Sequence, residues 1–319
     1  MMGIMSSEWI KIAAPATTSN LGPGFDVFGL ALKEPYDIIE GRKIDSGILI
    51  TEITGPGSEG IPMDSGKNSV GIAAKAVLEM CNASFGIEFR IKKGIRPCSG
   101  IGSSGASAAG GAYLANILCE NKLNDHDVTL CAAEAERGTS GDLHVDNVAP
   151  CIYGGFVIIR PDSNINSDSF HVISMEPPKG LGVVIAMPDV YVATADSRKV
   201  LPREVSMRDM TFHVAHASSL AYAMAKGDID AIGSSIKDVV IEPARAHLIP
   251  HLKDAEDIAM GCGAVASFLG GSGPCVISFF HKEDGIGEDI ANKIKEMYKG
   301  NGMTCDTWVT ECGSGCRRI

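Results

Sequence analysis

The sequence predicts a two-domain α+β protein, and three observations carry that expectation. At 319 residues the chain is near the upper limit for a single hydrophobic core. Strand-like segments dominate its beginning and helices follow, whereas from about residue 180 the order becomes β-α-α-β-β-α-β. That order is a split βαβ, or ferredoxin-like, arrangement with one extra helix. The proportions are those of a globular chain, with 45% hydrophobic residues, 21% charged residues and a mean hydropathy of +0.11.

The segments from Ile10 to Ala14, Tyr36 to Arg42, Gly47 to Ile53 and Glu88 to Lys92 alternate or run apolar with β-branched residues, which predicts strands. Helical spacing marks Val70 to Met80 and Val128 to Arg137. Ser104 to Leu118 is an Ala-rich helix whose small residues permit close packing on a sheet. Gly154 to Ile159 reads as a buried strand and Pro161 to Asp168 as a polar hairpin tip or loop. In the second half Leu181 to Met187 predicts a strand, and Met207 to Ala225 and Ile229 to Val239 predict helices. Ala264 to Leu269 and Cys275 to Phe280 read as strands around a Gly-rich turn, Ile286 to Tyr298 as a helix and Thr304 to Thr310 as the last strand. The expected domains are 9–165 and 166–319.

With 28 basic and 39 acidic residues the net charge is −11, so the phosphate-neutralising surface that nucleic acid requires is missing. One pocket for a small anion needs only a few local cations or backbone N–H groups, whatever the global charge. No segment reaches the length of a membrane span, and Met1 to Glu8 lacks the basic and apolar regions of a signal peptide. A cytoplasmic protein without nucleic-acid or membrane partners is expected. The ten cysteines form no Cys-x-x-Cys pair and read as reduced, mostly buried thiols; the cluster Cys305, Cys312 and Cys316 lacks zinc spacing. His213 and His216 share a helical stretch without a Glu in register and read as satisfied histidines rather than ligands.

Gly100-Ile-Gly-Ser-Ser-Gly105 satisfies the dinucleotide pattern G-x-G-x-x-G, but it follows an Arg-Pro-Cys-Ser loop instead of closing a parallel βα unit. The P-loop pattern fails at Gly66-Lys67-Asn68. What Ser99 to Ala109 offers is a run of small residues opening into a helix, where backbone N–H groups and the helix N-terminus can meet a phosphate. The Ser103 and Ser104 hydroxyls would bind phosphate or a phosphate-held Mg²⁺; otherwise Ser104 is an N-cap and the glycines a turn. Two further segments shift the balance to binding. Pro15 to Asp26 is a polar loop, longer than a turn needs, and Gly270-Gly-Ser-Gly-Pro274 carries more glycine than a hairpin requires.

These three segments, in this order, resemble the three motifs of the GHMP kinase superfamily. Its middle motif appears as Pro97-Cys-Ser-Gly-Ile-Gly-Ser-Ser-Gly-Ala-Ser-Ala108, with Ile101 where Leu is usual. The Gly105-Ala-Ser-Ala108 ending, Asn20-Leu-Gly-Pro-Gly-Phe-Asp26, Asp146-Asn-Val-Ala-Pro150, Ala193-Thr-Ala-Asp-Ser-Arg198 and Glu242-Pro-Ala-Arg245 are similar, within it, to the homoserine kinase family. The resemblance runs from about Lys11 to Thr310.

It implies a two-domain α+β GHMP kinase fold, the N-terminal domain ribosomal-protein-S5-domain-2-like and nucleotide-binding, the C-terminal domain ferredoxin-like. It implies transfer of the γ-phosphoryl of ATP, with Mg²⁺, to the side-chain hydroxyl of L-homoserine, giving O-phospho-L-homoserine for threonine biosynthesis. The nucleotide would lie over Asn68, Pro97, Ser99, Gly100, Ile101, Gly102, Ser103, Ser104, Gly105, Ala106 and Ser107, and Ser104 and Glu136 would hold the metal. Asn20, Asp26, Asn147, Arg198 and Arg245 would bind the substrate, with Asn147, Thr194 and Arg198 at the reacting end; a homodimer is the expected assembly. An amide is no base at neutral pH, so Asn147 would orient rather than take a proton. A kinase of another small alcohol (shikimate, mevalonate or a sugar) and a non-catalytic binding member of the fold stand as alternatives.

Overall fold

The computed structural model describes residues 8–140, 145–162 and 169–319, without the side chains of 138–140. β1 (Ile10–Asn20) and the long β2 (Gly24–Ile44) form an antiparallel hairpin. β3 (Ile48–Thr54) is joined through α1 (Ser69–Met80) to its parallel neighbour β4 (Gly86–Lys92), a β-α-β unit. After α2 (Ser103–Leu118), α3 (Asp125–Ser140) and α4 (Val148–Tyr153), β5 (Phe156–Pro161) and β6 (Phe170–Met175) complete the half. β2 is long enough to serve two neighbours, pairing β4 through Ile38–Ile44 and β5 through Phe28–Leu30. α2 packs on β1, β2 and the other helices, and this closeness needs its small residues: a Cβ at Gly111 would stand 2.5 Å from the Val70 carbonyl oxygen.

The second sheet is built from β7 (Leu181–Pro188), β8 (Ala266–Leu269), β9 (Val276–His281) and β10 (Cys305–Glu311), in the order β10-β7-β9-β8 with every pair antiparallel. That is the split βαβ order the sequence predicts. Between β7 and β8 lie α5 (Thr194–Lys199), α6 (Met207–Lys226), α7 (Ile229–Ser235), α8 (Ile241–Arg245) and α9 (Leu252–Gly261); α10 (Gly287–Gly300) precedes β10. Alternation along β7 divides the core. Val183, Ile185 and Met187 join the large cluster shared with the N-terminal sheet, while Val184 and Ala186 face α9 and α10 through Leu252, Ile290 and Ile294.

Several expectations are corrected. Pro15 to Asp26 is not a loop: β1 continues to Asn20, with a register shift between Pro15 and Thr17, and Asn20 and Leu21 turn the chain with φ of 70° and 46° before β2 starts at Gly24. The helix expected to run to Val239 ends at Ser235, because Asp238 accepts the Val240, Ile241 and Glu242 N–H groups and opens α8. Pro243 therefore lies in the first turn of α8, where its missing N–H costs nothing. The expected domain boundary at 165/166, like most of the expected hairpin tip at 161–168, lies outside the described residues. β6 pairs with β5, and β11 (Arg317–Arg318) pairs with β1, so both belong to the N-terminal sheet. No described helix is long and apolar enough to cross a membrane.

Candidate active site

The three Gly-rich segments meet. A Cβ on Gly100 would lie 2.8 Å from the Gly273 carbonyl, the Thr17 N–H donates to the Ile101 carbonyl at 3.2 Å, and Asn20 Nδ2 donates to the Gly271 carbonyl at 3.0 Å. They line a cavity of about 450 Å³ that runs from Asn68 and Ser69, past the loop 97–105, to Thr194, Arg198 and Arg245. Of the sequence-predicted residues, Ile101 and Ala106 turn fully buried side chains into the core and do not line it; the others do.

Gly102 has φ +69° and is the N-cap of α2, so the expectation that Ser104 caps the helix is replaced. Ser104 is exposed, and its hydroxyl donates to Glu136 Oε1 at 2.5 Å. Burial pushes the Glu136 carboxyl up against this hydrogen bond. Ser103 is committed elsewhere: its hydroxyl donates to the Ile95 carbonyl at 2.9 Å, so it has no proton left for phosphate. Asn68 caps α1, accepting from Val70 N at 3.0 Å and donating to the Pro62 carbonyl at 2.8 Å. Ser99 is 1% exposed and its hydroxyl has no partner among the described residues. Beneath the loop, buried Lys93 pairs with buried Asp37 and donates to Ser107 Oγ at 2.8 Å. Asp37 Oδ1 accepts from the Gly94 and Ile95 N–H groups.

At the other end Asn147 bridges, its Oδ1 accepting from Thr17 Oγ1 at 2.9 Å and its Nδ2 donating to Ser19 Oγ at 3.2 Å. Arg198, in the last turn of α5, donates from Nη2 to both carboxylate oxygens of Asp26 at 2.9 and 3.0 Å. Arg245 is 2% exposed and donates to the Ser197 and Gly271 carbonyls at 3.2 and 2.9 Å. Among the described residues it forms no ion pair, and burial, with Arg198 nearby, lowers its pKa. Both guanidinium groups lie over the Phe25 ring, at 5.4 and 5.5 Å from its centroid.

Sequence reasoning missed Asp146, Phe25, Ser19 and Lys93. Asp146 is 4% exposed beside Asn147, and burial together with the Asp26 charge pushes its carboxyl up to about 7. Phe25 and Asp146 lie inside the segments that carry the resemblance, which was the available signal. Outside the cavity His213 and His216 have polar partners, Asp238 and the Ser235 carbonyl. Cys305 lies in β10, while Cys312 and Cys316 lie where the chain returns to the N-terminal sheet; burial raises all three thiols. Among the described residues no three His, Cys, Asp or Glu side chains converge as a metal site.

A glycine-capped helix N-terminus thus faces, across one cleft, a buried arginine that has no ion-pair partner among the described residues, and each can attract an anion. The chain as a whole falls in a family. The GHMP kinases N terminal domain model matches residues 68–155 and the GHMP kinases C terminal model matches 220–300. The homoserine kinase of Methanococcus vannielii is 39% identical over 313 residues, covering 96% of this chain and 97% of that one. That of Pyrococcus horikoshii is 36% identical over 309 residues, covering 97% and 99%. The crystal structure of homoserine kinase from Cytophaga hutchinsonii superposes with a TM-score of 0.90 at 33% identity over 100% of both chains. The fold is that of the GHMP kinases. Within them the chain belongs to the homoserine kinase family.

Proposed function

We propose that this chain transfers the γ-phosphoryl of ATP to the side-chain hydroxyl of L-homoserine. The new bond joins the homoserine oxygen to the γ-phosphorus as the bond from that phosphorus to the bridging oxygen breaks, and the hydroxyl proton leaves late to a phosphoryl oxygen or water, giving ADP, O-phospho-L-homoserine and a proton. The observation that carries the substrate reading is Arg245, a buried cation without an ion-pair partner among the described residues, beside the Arg198–Asp26 pair. A carboxylate completes Arg245, and Asp26 with the Asn20 amide oxygen supplies acceptors for an ammonium. The phosphate end would use the backbone N–H groups at the start of α2, with the Ser99 hydroxyl as an added donor.

Glu136 and Ser104 fit a Mg²⁺ ion: they are hard oxygen donors in contact, and a desolvated carboxylate gains from a cation. When bound, the ion would neutralise charge on the phosphates. Asn147, fixed by Thr17 and Ser19, orients the substrate hydroxyl; a loose transition state needs little proton transfer before the phosphorus–oxygen bond breaks, so an amide suffices there. Thr194, exposed on the cleft wall at the start of α5, is the residue we assign beside the reacting hydroxyl. We further propose a homodimer, to be checked by light scattering, and a domain division that follows the sheets, with 317–318 returning to the N-terminal domain. The deciding assay measures ATP consumption with Mg²⁺ against L-homoserine, L-threonine, shikimate, mevalonate and galactose. Homoserine is expected to be the substrate turned over; turnover of another alcohol in its place overturns the reading.

A further inference from the structure

Behind Arg245, outside the cleft, lie two carboxyl groups that the transfer reaction does not use, half-buried Glu242 and buried Glu256. Glu242, in the first turn of α8, accepts from the Leu269 N–H at 2.7 Å through Oε2. Leu269 leads into the turn whose Gly271 carbonyl accepts from Arg245 Nη1 at 2.9 Å. One carboxylate thus fastens the helix that carries Arg245 to the strand that carries its acceptor. Glu256 of α9 is 7% exposed and faces the Glu242 carboxyl, and its buried Oε1 has no hydrogen-bond partner among the described residues. Two carboxylates that face each other away from bulk solvent repel unless one holds a proton, and with Glu242 already accepting from Leu269 the unpartnered Glu256 is the one to hold it. The other groups facing Glu256 are Lys253, with Nζ 3.8 Å away on a largely exposed side chain, Asp257, and Tyr298 of α10, whose hydroxyl donates to the Pro250 carbonyl; Asp238 faces Glu242. None of them supplies a buried donor.

We propose that Glu256 is a positioning residue: held as the neutral acid, it donates its proton to Glu242 and so keeps α8, and Arg245 at its end, set against the Gly270–Gly273 turn. The inference rests on the reading of Arg245 as the group that meets the substrate carboxylate. In support, burial and the Glu242 charge push the Glu256 carboxyl up to about 8. Above that pH the proton passes to solvent, two carboxylates repel each other in a partly buried site, and α8 loses its register.

The test is the homoserine KM between about pH 6.5 and pH 9.5 for the wild type and Glu256→Gln, whose amide donates permanently. The ratio of wild-type to variant KM, in which titration of the substrate cancels, is expected to rise about tenfold from pH 7 to pH 9, while the ratios of kcat and of ATP KM stay flat. Glu242→Gln, which keeps an acceptor for Leu269 and turns a donor toward Glu256, must flatten the wild-type rise as well. A pH-independent ratio in both variants overturns the proposal. If Arg245→Lys leaves the homoserine KM unchanged, the substrate reading fails instead, and thermal melting then decides this one. Folding raises the Glu256 pKa, so the wild type loses stability relative to Glu256→Gln as pH rises from the ordinary carboxylate range to about 8 and no further. A melting difference that does not change with pH removes the shared proton.

Discussion

Gly102 shows how closely the three segments fit. With φ at +69°, its Cβ would stand 2.0 Å from Thr17 Oγ1 and 2.9 Å from Asn147 Oδ1. A side chain there therefore disturbs the fold as well as the approach of phosphate. Gly102→Ala is expected to cost about 1–3 kcal/mol and to lower kcat through displaced Asn147, measured by urea unfolding and steady-state rates; Gly60→Ala, with open space around it, should change neither. Arg245→Lys keeps the charge but loses the planar fork, and should raise the homoserine KM by about one to two orders of magnitude. The wild type should also discriminate against a carboxyl-esterified homoserine much more than Arg245→Ala does. Asp146 gives a prediction of opposite sign. Its carboxyl is raised to about 7 in the fold, so the stability it contributes is present below the ordinary carboxylate range and lost as pH rises through about 7. Asp146→Asn should accordingly gain in melting temperature over the wild type from pH 5 to pH 7 and level off above. A difference independent of pH would mean that the carboxyl titrates normally.

The helix that follows the Gly-rich loop 97–102, α2, stands on an ion pair no periodicity announces. Lys93 and Asp37 are 3% and 0% exposed, and Lys93 also reaches the Ser103 carbonyl and Ser107 at the start of α2. Lys93→Met leaves Asp37 with backbone N–H groups and one hydroxyl but no cation, and should cost about 3–5 kcal/mol of stability while weakening ATP binding; denaturant titration and nucleotide affinity are the two measurements. Lys93 was passed over because it lies one residue beyond the expected strand Glu88 to Lys92, although its phase with Ile87, Phe89 and Ile91 puts it on the inward face. Legible elements were those with long periodic faces, such as α1, α2, α6 and α10, and the four strands of the C-terminal sheet. Illegible ones were short or decided by a single tertiary contact. α4 and α5 are six residues each, and α8 exists because Asp238 caps it. The strand ending at Asn20 looked like a loop because its polar residues are buried by the other two Gly-rich segments and not by an apolar core. The site was legible through resemblance; Asp146, Phe25 and the Glu242–Glu256 pair needed three dimensions.

The two domains are closed by the end of the chain. β10 belongs to the C-terminal sheet, but from Cys312 the backbone crosses to the N-terminal one, where a two-residue strand lies below any window of sequence periodicity. The Gly313 N–H donates to the Ala31 carbonyl at 2.8 Å, the Gly155 N–H to the Gly313 carbonyl at 2.9 Å, and the Cys316 N–H to the Cys151 carbonyl at 2.6 Å. β11 then pairs with the edge strand β1 through Arg317 and Arg318, and Ile319 N–H reaches the Lys11 carbonyl at 3.0 Å. Glu311, at the crossing, pairs with Lys33 of β2 and with Lys282, and these lysines draw its carboxyl down to about 2. That carboxylate contributes stability above the ordinary carboxylate range, lost as pH falls toward 2; the pairs are solvent-facing and weakened by salt. Backbone pairing should matter far more than charge. Ending the chain after Glu311 strips the Gly155 N–H and the Ala31 and Cys151 carbonyls of their partners and opens the edge of β1. At about 1 kcal/mol for each lost hydrogen bond, and more where the orphan stays buried, the cut is expected to cost about 3–6 kcal/mol and to promote edge-to-edge association. Glu311→Gln in the full chain should move the melting temperature far less than the truncation does, and the truncated protein should show its loss equally in high salt. Equal losses in the two variants, both abolished by salt, would assign the closure to the ion pairs instead of the returning strand.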